Sequence, residues 1–138
     1  MRKPEQKLWD AMKRENKKQL HVINLERVEN MVADGTPDLY AKYYGSDCWI
    51  ELKAVSMPKR KSTRVLGNKG LNPYQINWHL KHHIYGLRSF ILIKAGKELF
   101  LLPNKYTERI NEMDQLQLFL ASLAHDWEKI FEVLRKSH

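Results

Sequence analysis

A length of 138 residues is that of one ordinary domain, able to bury roughly 70% of the surface its unfolded chain exposes. With 43% hydrophobic, 10% aromatic and 29% charged residues it is not a disordered chain, and no window is long and apolar enough for a membrane span. The formal net charge of +8 is informative only where it is concentrated, since scattered lysines are usually a solvated face, and there it suits a polyanion.

Pro4 opens a predicted helix over residues 4 to 18, with Glu5, Leu8, Trp9 and Met12 at helical spacing and Lys and Arg on the outer face. HVINLERVEN, residues 21 to 30, is rich enough in β-branched residues for a strand, and ADGTPD is turn chemistry. Residues 38 to 44 and 48 to 55 are predicted to pair as a hairpin around Gly45-Ser46-Asp47. Residues 56 to 71 have no period and read as a loop. It ends at Asn72-Pro73-Tyr74-Gln75, which supplies an N-cap, a first-turn proline and a glutamine three residues after the cap. That helix is expected to run to about Tyr85, with Gly86 as its terminator.

SFILIKAGKELFLLP reads as two short strands around Ala95-Gly96-Lys97. From about Thr107 the chain is expected to be helical, with two core-facing stripes: Leu116, Phe119, Leu120 and Leu123, then Trp127, Ile130, Phe131 and Leu134. Were the core complete without the second stripe, it would serve a homodimer contact. The expected architecture is α/β, a central mixed β-sheet flanked by helices, without a glycine-rich phosphate loop. It is expected as a single domain, with a core over about 5-103 and a C-terminal helical extension over about 104-138. The lone Cys48 beside Trp49 reads as a buried reduced thiol.

The charge is concentrated. Residues 1 to 20 hold seven basic and three acidic side chains, and residues 104 to 138 hold five basic and six acidic ones. Residues 56 to 70 carry Lys59, Arg60, Lys61, Arg64 and Lys69 with no acid at all, which suits a nucleic acid contacting the front half of the chain. A membrane-binding helix fits that stretch poorly, because it holds Pro, two Gly and no apolar stripe.

One feature of the hairpin misfits a strand that only packs. Glu51 and Lys53 stand two apart, on one strand face with Trp49, while Ile50 and Leu52 point to the other. Pairing would bring Asp38 beside them. Two converging carboxylates suit a hard divalent cation such as Mg²⁺, and a nearby ammonium can stabilise charge developing on phosphorus. The bland alternative is a turn-capping Asp38 and an edge-strand ion pair that discourages aggregation.

Gly35-Thr36-Pro37-Asp38 followed by Trp49-Ile50-Glu51-Leu52-Lys53 resembles the motif of the PD-(D/E)XK nuclease superfamily. Leu71-Asn72-Pro73-Tyr74-Gln75, then Trp78 and the strand Ser89 to Lys94, are similar to its VRR-NUC branch, which includes small stand-alone phage proteins. The resemblance covers roughly residues 5 to 95. It implies a restriction-endonuclease-like core and a metal-dependent DNA endonuclease, structure-selective on branched DNA in the manner of a Holliday junction resolvase. Asp38 and Glu51 would be metal ligands, with the backbone carbonyl of Leu52 and a first-helix carboxylate, Glu5, completing the set. The metal would be Mg²⁺, with Mn²⁺ able to substitute. Lys53 would orient the attacking water, and Gln75 matches the glutamine of this branch, while its spacing from Asn72 equally suits a capping box. From their charge alone, Lys59, Arg60, Lys61, Arg64 and Lys69 read as a flexible arm that grips DNA phosphates, with a merely soluble loop as the alternative. A nicking or restriction-like nuclease is the nearest alternative, and a non-catalytic DNA-binding module is the alternative of another class. The expected location is the cytoplasm, that of the host if the chain is phage-encoded.

His79 and His83, four apart, could share a face for zinc, but Leu80 stands where a metalloprotease helix needs glutamate, so solvent- or DNA-facing histidines are expected. Arg27, Glu29 and Asn30 could reach the same centre or form ordinary surface pairs. Tyr40, Tyr43, Tyr44 and Tyr74 could stack on unpaired bases or simply pack.

Overall fold

Alternation along the long apolar strand after the hairpin turn sets the architecture. The computed structural model describes residues 3–28 and 34–136. Its elements are α1 (Pro4–Lys17), β1 (Asn24–Arg27), β2 (Leu39–Lys42), β3 (Cys48–Val55), α2 (Pro73–Ile84), β4 (Ser89–Ala95), β5 (Glu98–Pro103), α3 (Gln115–Ala121) and α4 (Trp127–Arg135), with 3₁₀ turns at Gly67–Lys69, Asn104–Tyr106 and Ile110–Glu112. The five strands lie in the order β1-β2-β3-β4-β5; β3 and β4 run parallel and every other pair is antiparallel. A parallel pair needs a crossover, and α2 with its preceding loop supplies it.

Cys48, Ile50 and Leu52 point to one face of the sheet, where they pack with Leu8 and Met12 of α1 and Phe131 of α4. On the other face Ile91, Ile93, Phe100 and Leu102 pack with Leu66 and Leu118. Glu51 and Lys53 belong to that second face, where α2 crosses. Burial pushes the free Cys48 thiol up to about 12.

Several local expectations are corrected. The hairpin turn is centred one residue earlier, on Tyr44-Gly45, both at positive φ (39° and 84°), with the Ser46 N–H donating to the Tyr43 carbonyl at 2.7 Å. That geometry matches the right-handed twist of the flanking strands. The first strand is limited to Asn24–Arg27; residues 29 and 30 lie outside the described residues.

The C-terminal stripes divide differently from the expectation. Ile130, Phe131 and Leu134 are buried against α1 and the sheet, so this helix completes the core. Leu116, Phe119, Leu120 and Leu123 are exposed instead. A capping box between Asp114 and Gln117 starts α3, in which Leu118 packs into the core and its apolar neighbours are left outward.

The loop 56–71 is less free than its composition suggests. Val65, Leu66 and Leu71 are buried, and the Val65 N–H donates to the Met113 carbonyl at 3.0 Å. Asn111 clamps the far end: its Oδ1 accepts from the Leu71 N–H and its Nδ2 donates to the Leu71 carbonyl, both at 2.8 Å. Asn111→Ala removes both bonds and is expected to cost about 2 kcal/mol in urea unfolding; a change under about 0.5 kcal/mol would show that the clamp does not hold the loop.

Candidate functional site

The hairpin register Leu39↔Ile50 carries Asp38 opposite Glu51. The Leu52 N–H donates to Asp38 Oδ2 at 2.8 Å, which fixes the carboxylate. Ahead of Asp38, Gly35 lies at φ 87° with its Cα against the first turn of α2, where an added Cβ would come within 2.3 Å of the Tyr74 carbonyl oxygen. The Gly-Thr-Pro-Asp turn and the start of α2 are therefore wedged together.

That contact delivers Gln75. Its side-chain Oε1 accepts from the Asn72 N–H and its own N–H donates to Asn72 Oδ1, both at 2.9 Å. Its Nε2 donates to Glu51 Oε2 at 3.3 Å. The two readings of Gln75 thus hold together, because its carbonyl caps the helix while its amide nitrogen faces the site.

Glu51 is 2% exposed. Burial, then the charge of Asp38 and a hydrogen bond with it, push its carboxyl up to about 10, against the downward pull of Lys53. Glu5 lies in the exposed first turn of α1, one turn before the buried Leu8 and Trp9. Its carboxyl is also raised, by burial first and by Asp38, while Lys53 pulls it down. Asp38, Glu51, Lys53, Glu5 and Gln75 are thus brought into one cluster, with Glu5 at its rim. Among the described residues no three His, Cys, Asp or Glu side chains form a ready metal cage.

The histidines do not behave as expected. His79 is fully buried, because it lies four residues after Gln75 and so on the helix face turned to the sheet. Burial lowers its ring to about 4, which keeps it neutral. His82 stacks on Trp78 with ring centres 3.5 Å apart, and only His83 is exposed as predicted. Arg27 donates to Gln6 Oε1 at 2.7 Å and pulls the Glu5 carboxyl down, so it stands beside the cluster; Glu29 and Asn30 fall outside the described residues.

Tyr40 donates to Asp47 at 2.9 Å and packs on Trp49, which packs on Trp78. Tyr44 and Tyr74 are exposed. Lys59, Arg60, Lys61, Arg64 and Lys69 are all exposed, and Arg64 stands 3.8 Å from Glu112. With 65, 66 and 71 anchored, the free part of the arm narrows to about residues 59 to 64.

A mixed five-stranded sheet flanked by helices, with the acidic cluster on the strand before the parallel crossover, is a restriction-endonuclease-like fold. Among solved structures the chain is similar to Hjc of Archaeoglobus fulgidus, a Holliday junction resolvase from an archaeal hyperthermophile, with a TM-score of 0.58 and 17% identity over 95% of this chain and 97% of that one. No protein-family model matches the chain. No curated protein sequence matches it either.

Proposed function

We propose that the chain is a Mg²⁺-dependent DNA endonuclease that hydrolyses phosphodiester bonds and selects branched DNA, as a Holliday junction resolvase does. The observation that carries this reading is the buried Glu51 carboxyl, bonded to Asp38 and pushed up to about 10, with Lys53 beside it. A packing strand has no use for two carboxyls forced together. A cation relieves their repulsion, so the donor set fits one. Mg²⁺ is commonly held by one or two carboxylates while keeping several waters, so the lack of a three-carboxylate cage among the described residues suits it.

Asp38, Glu51 and the Leu52 carbonyl would hold the ion, with Glu5 at the rim, and Mn²⁺ would substitute. When bound, Mg²⁺ polarises a phosphoryl oxygen and lowers the pKa of a coordinated water. Lys53 positions the attacking water and stabilises charge developing on phosphorus. Gln75 holds Glu51 Oε2 in place, and the Leu52 N–H holds Asp38 Oδ2. Lys59, Arg60, Lys61, Arg64 and Lys69 bind backbone phosphates beyond the C-terminal end of β3. A homodimer would present two such centres to the symmetric strands of a junction. The similarity to Hjc over nearly the whole of both chains supports the branched-DNA preference.

The test is cleavage of four-way junction, flap, nicked, linear and single-stranded DNA with Mg²⁺, Mn²⁺ or EDTA. Junction cutting that needs a divalent ion and Lys53 supports the proposal. Cutting that survives both EDTA and Lys53→Ala sinks the mechanism. Binding without cutting under every metal favours a non-catalytic DNA-binding module, and preference for nicked or linear duplex favours a nicking or restriction-like enzyme. Replacing Lys59, Arg60 and Lys61 together by Ala is expected to flatten the salt dependence of binding by about 2 to 3 in log–log slope; an unchanged slope removes the arm from the contact.

A further inference from the structure

A buried hydrogen-bond chain reaches the acidic cluster from the far end of α2. Asn104 Nδ2 donates to the Leu87 carbonyl at 3.0 Å and to Ser89 Oγ at 2.9 Å, and Ser89 Oγ stands 2.8 Å from His79 Nδ1. Asn104 is 6% exposed, Ser89 1% and His79 0%. An amide nitrogen only donates, so Ser89 accepts from Asn104. Among the described residues, the acceptor that remains for the Ser89 hydroxyl proton is His79 Nδ1. The neutral ring therefore carries its own proton on Nε2.

That nitrogen has no partner. At 3.8 Å it faces Glu51 Oε1, a buried oxygen that also has none. The separation is too long for a hydrogen bond, yet a donor and an acceptor, each desolvated and each unpaired, are aimed at one another. Gln75 and His79 stand four apart on α2, and between them they address both oxygens of Glu51, Oε2 from Gln75 and Oε1 from His79.

We propose that His79, oriented through Ser89 and Asn104, is a positioning residue that donates from Nε2 to Glu51 Oε1 once the 3.8 Å gap closes on cation binding, and so holds Oε2 towards Asp38 and the cation site. The proposal rests on the metal-ion reading above. A carboxylate gripped at both oxygens keeps one rotamer, and partners that orient a metal ligand typically matter 10- to 100-fold for affinity. The same ring acts on no DNA directly, because it is buried.

Two measurements on the full chain test it. Nitrogen-15 NMR of the metal-free protein should find His79 as the Nε2–H tautomer, a readout independent of any metal. Calorimetric titration with Mn²⁺ should show His79→Leu weakening binding about 10- to 100-fold, with His79→Gln, whose amide N–H can replace Nε2–H, restoring most of it. Ser89→Ala should lose the tautomer preference and weaken binding less. An Nδ1–H tautomer overturns the proposal, as does a folded His79→Leu that binds Mn²⁺ like the parent. Should His79→Leu fail to fold by circular dichroism, Ser89→Ala decides, and parent-like binding by that variant overturns the proposal. A parent chain that binds no Mn²⁺, or whose binding ignores Asp38→Asn, sinks the metal reading instead, and the tautomer alone then decides the relay.

Discussion

Glu51→Gln is expected to make the metal-free protein harder to unfold above pH 6.5 while abolishing DNA cleavage. The Glu51 carboxyl is raised from an ordinary 4.5 to about 10 by burial and by Asp38. Between those limits the folded chain holds a proton that the unfolded chain has released, so stability falls as pH rises. The full slope is about 1.4 kcal/mol per pH unit. His79 opposes it on the acid side. Its ring is lowered from 6.5 to about 4, so the unfolded chain binds the extra proton there and stability rises with pH through that window. The two slopes offset between about pH 4.5 and 6.5, and the fall stands alone above it. Urea unfolding in EDTA at pH 6.5, 7.5 and 8.5 should therefore lose roughly 3 kcal/mol in the parent over the two pH units and much less in Glu51→Gln. Cleavage by the variant should drop at least ~1000-fold if Glu51 holds the cation as proposed. DNA affinity of the metal-free protein should hold, since the buried Glu51 carboxyl already carries a proton and the amide removes no charge. A variant that unfolds more readily than the parent at pH 8.5 would show that Glu51 is a structural ion-pair member rather than a strained functional carboxyl.

That expectation draws on features of unequal visibility in the chain. Glu51 and Lys53 stood out because period-2 alternation puts them on a face that the flanking Ile50 and Leu52 do not share. The neighbourhood of Asp38 followed from hairpin pairing, and the capping role of Gln75 from its spacing to Asn72. The burial of His79 is not legible because α2 has a weak apolar stripe, so nothing in its own pattern says which face is buried. The offset of four from Gln75 was the available signal. Ser89 and Asn104 meet through β4–β5 pairing, which sets Phe90 opposite Pro103, and reach His79 only where α2 packs on that end of the sheet, which no local pattern encodes. The α3 stripe failed for a related reason: Leu116, Leu118, Phe119 and Leu120 are apolar on every side of a seven-residue helix, so period alone does not choose a face. The basic loop read as wholly free because its anchors, Val65, Leu66 and Leu71, are spaced without period and find partners in segments beyond residue 90.

Gly35→Ala is expected to damage both stability and cleavage, and a second glycine separates the two causes. Gly35 and Gly45 have nearly the same positive φ, 87° and 84°, where an L side chain costs about 1 to 2 kcal/mol. At Gly45 an added Cβ meets nothing within 4 Å, so Gly45→Ala reports that strain alone. At Gly35 the same atom falls 2.3 Å from the Tyr74 carbonyl oxygen and 2.9 Å from the Gln75 nitrogen, both backbone atoms of the first turn of α2. They yield only if the helix start moves, and Gln75 moves with it, away from a bond to Glu51 that is already 3.3 Å long. The loss at Gly35 should therefore reach roughly 3 kcal/mol or more, against about 1 to 2 at Gly45. Cleavage at a temperature where both variants are folded should fall at least ~10-fold for Gly35→Ala and stay near the parent for Gly45→Ala, since small misplacements of a positioning group are costly. Equal losses in the two variants, with normal cutting by both, would mean that the turn before Asp38 does not set the position of α2, and the coupling between the Gly-Thr-Pro-Asp turn and Gln75 would have to be abandoned.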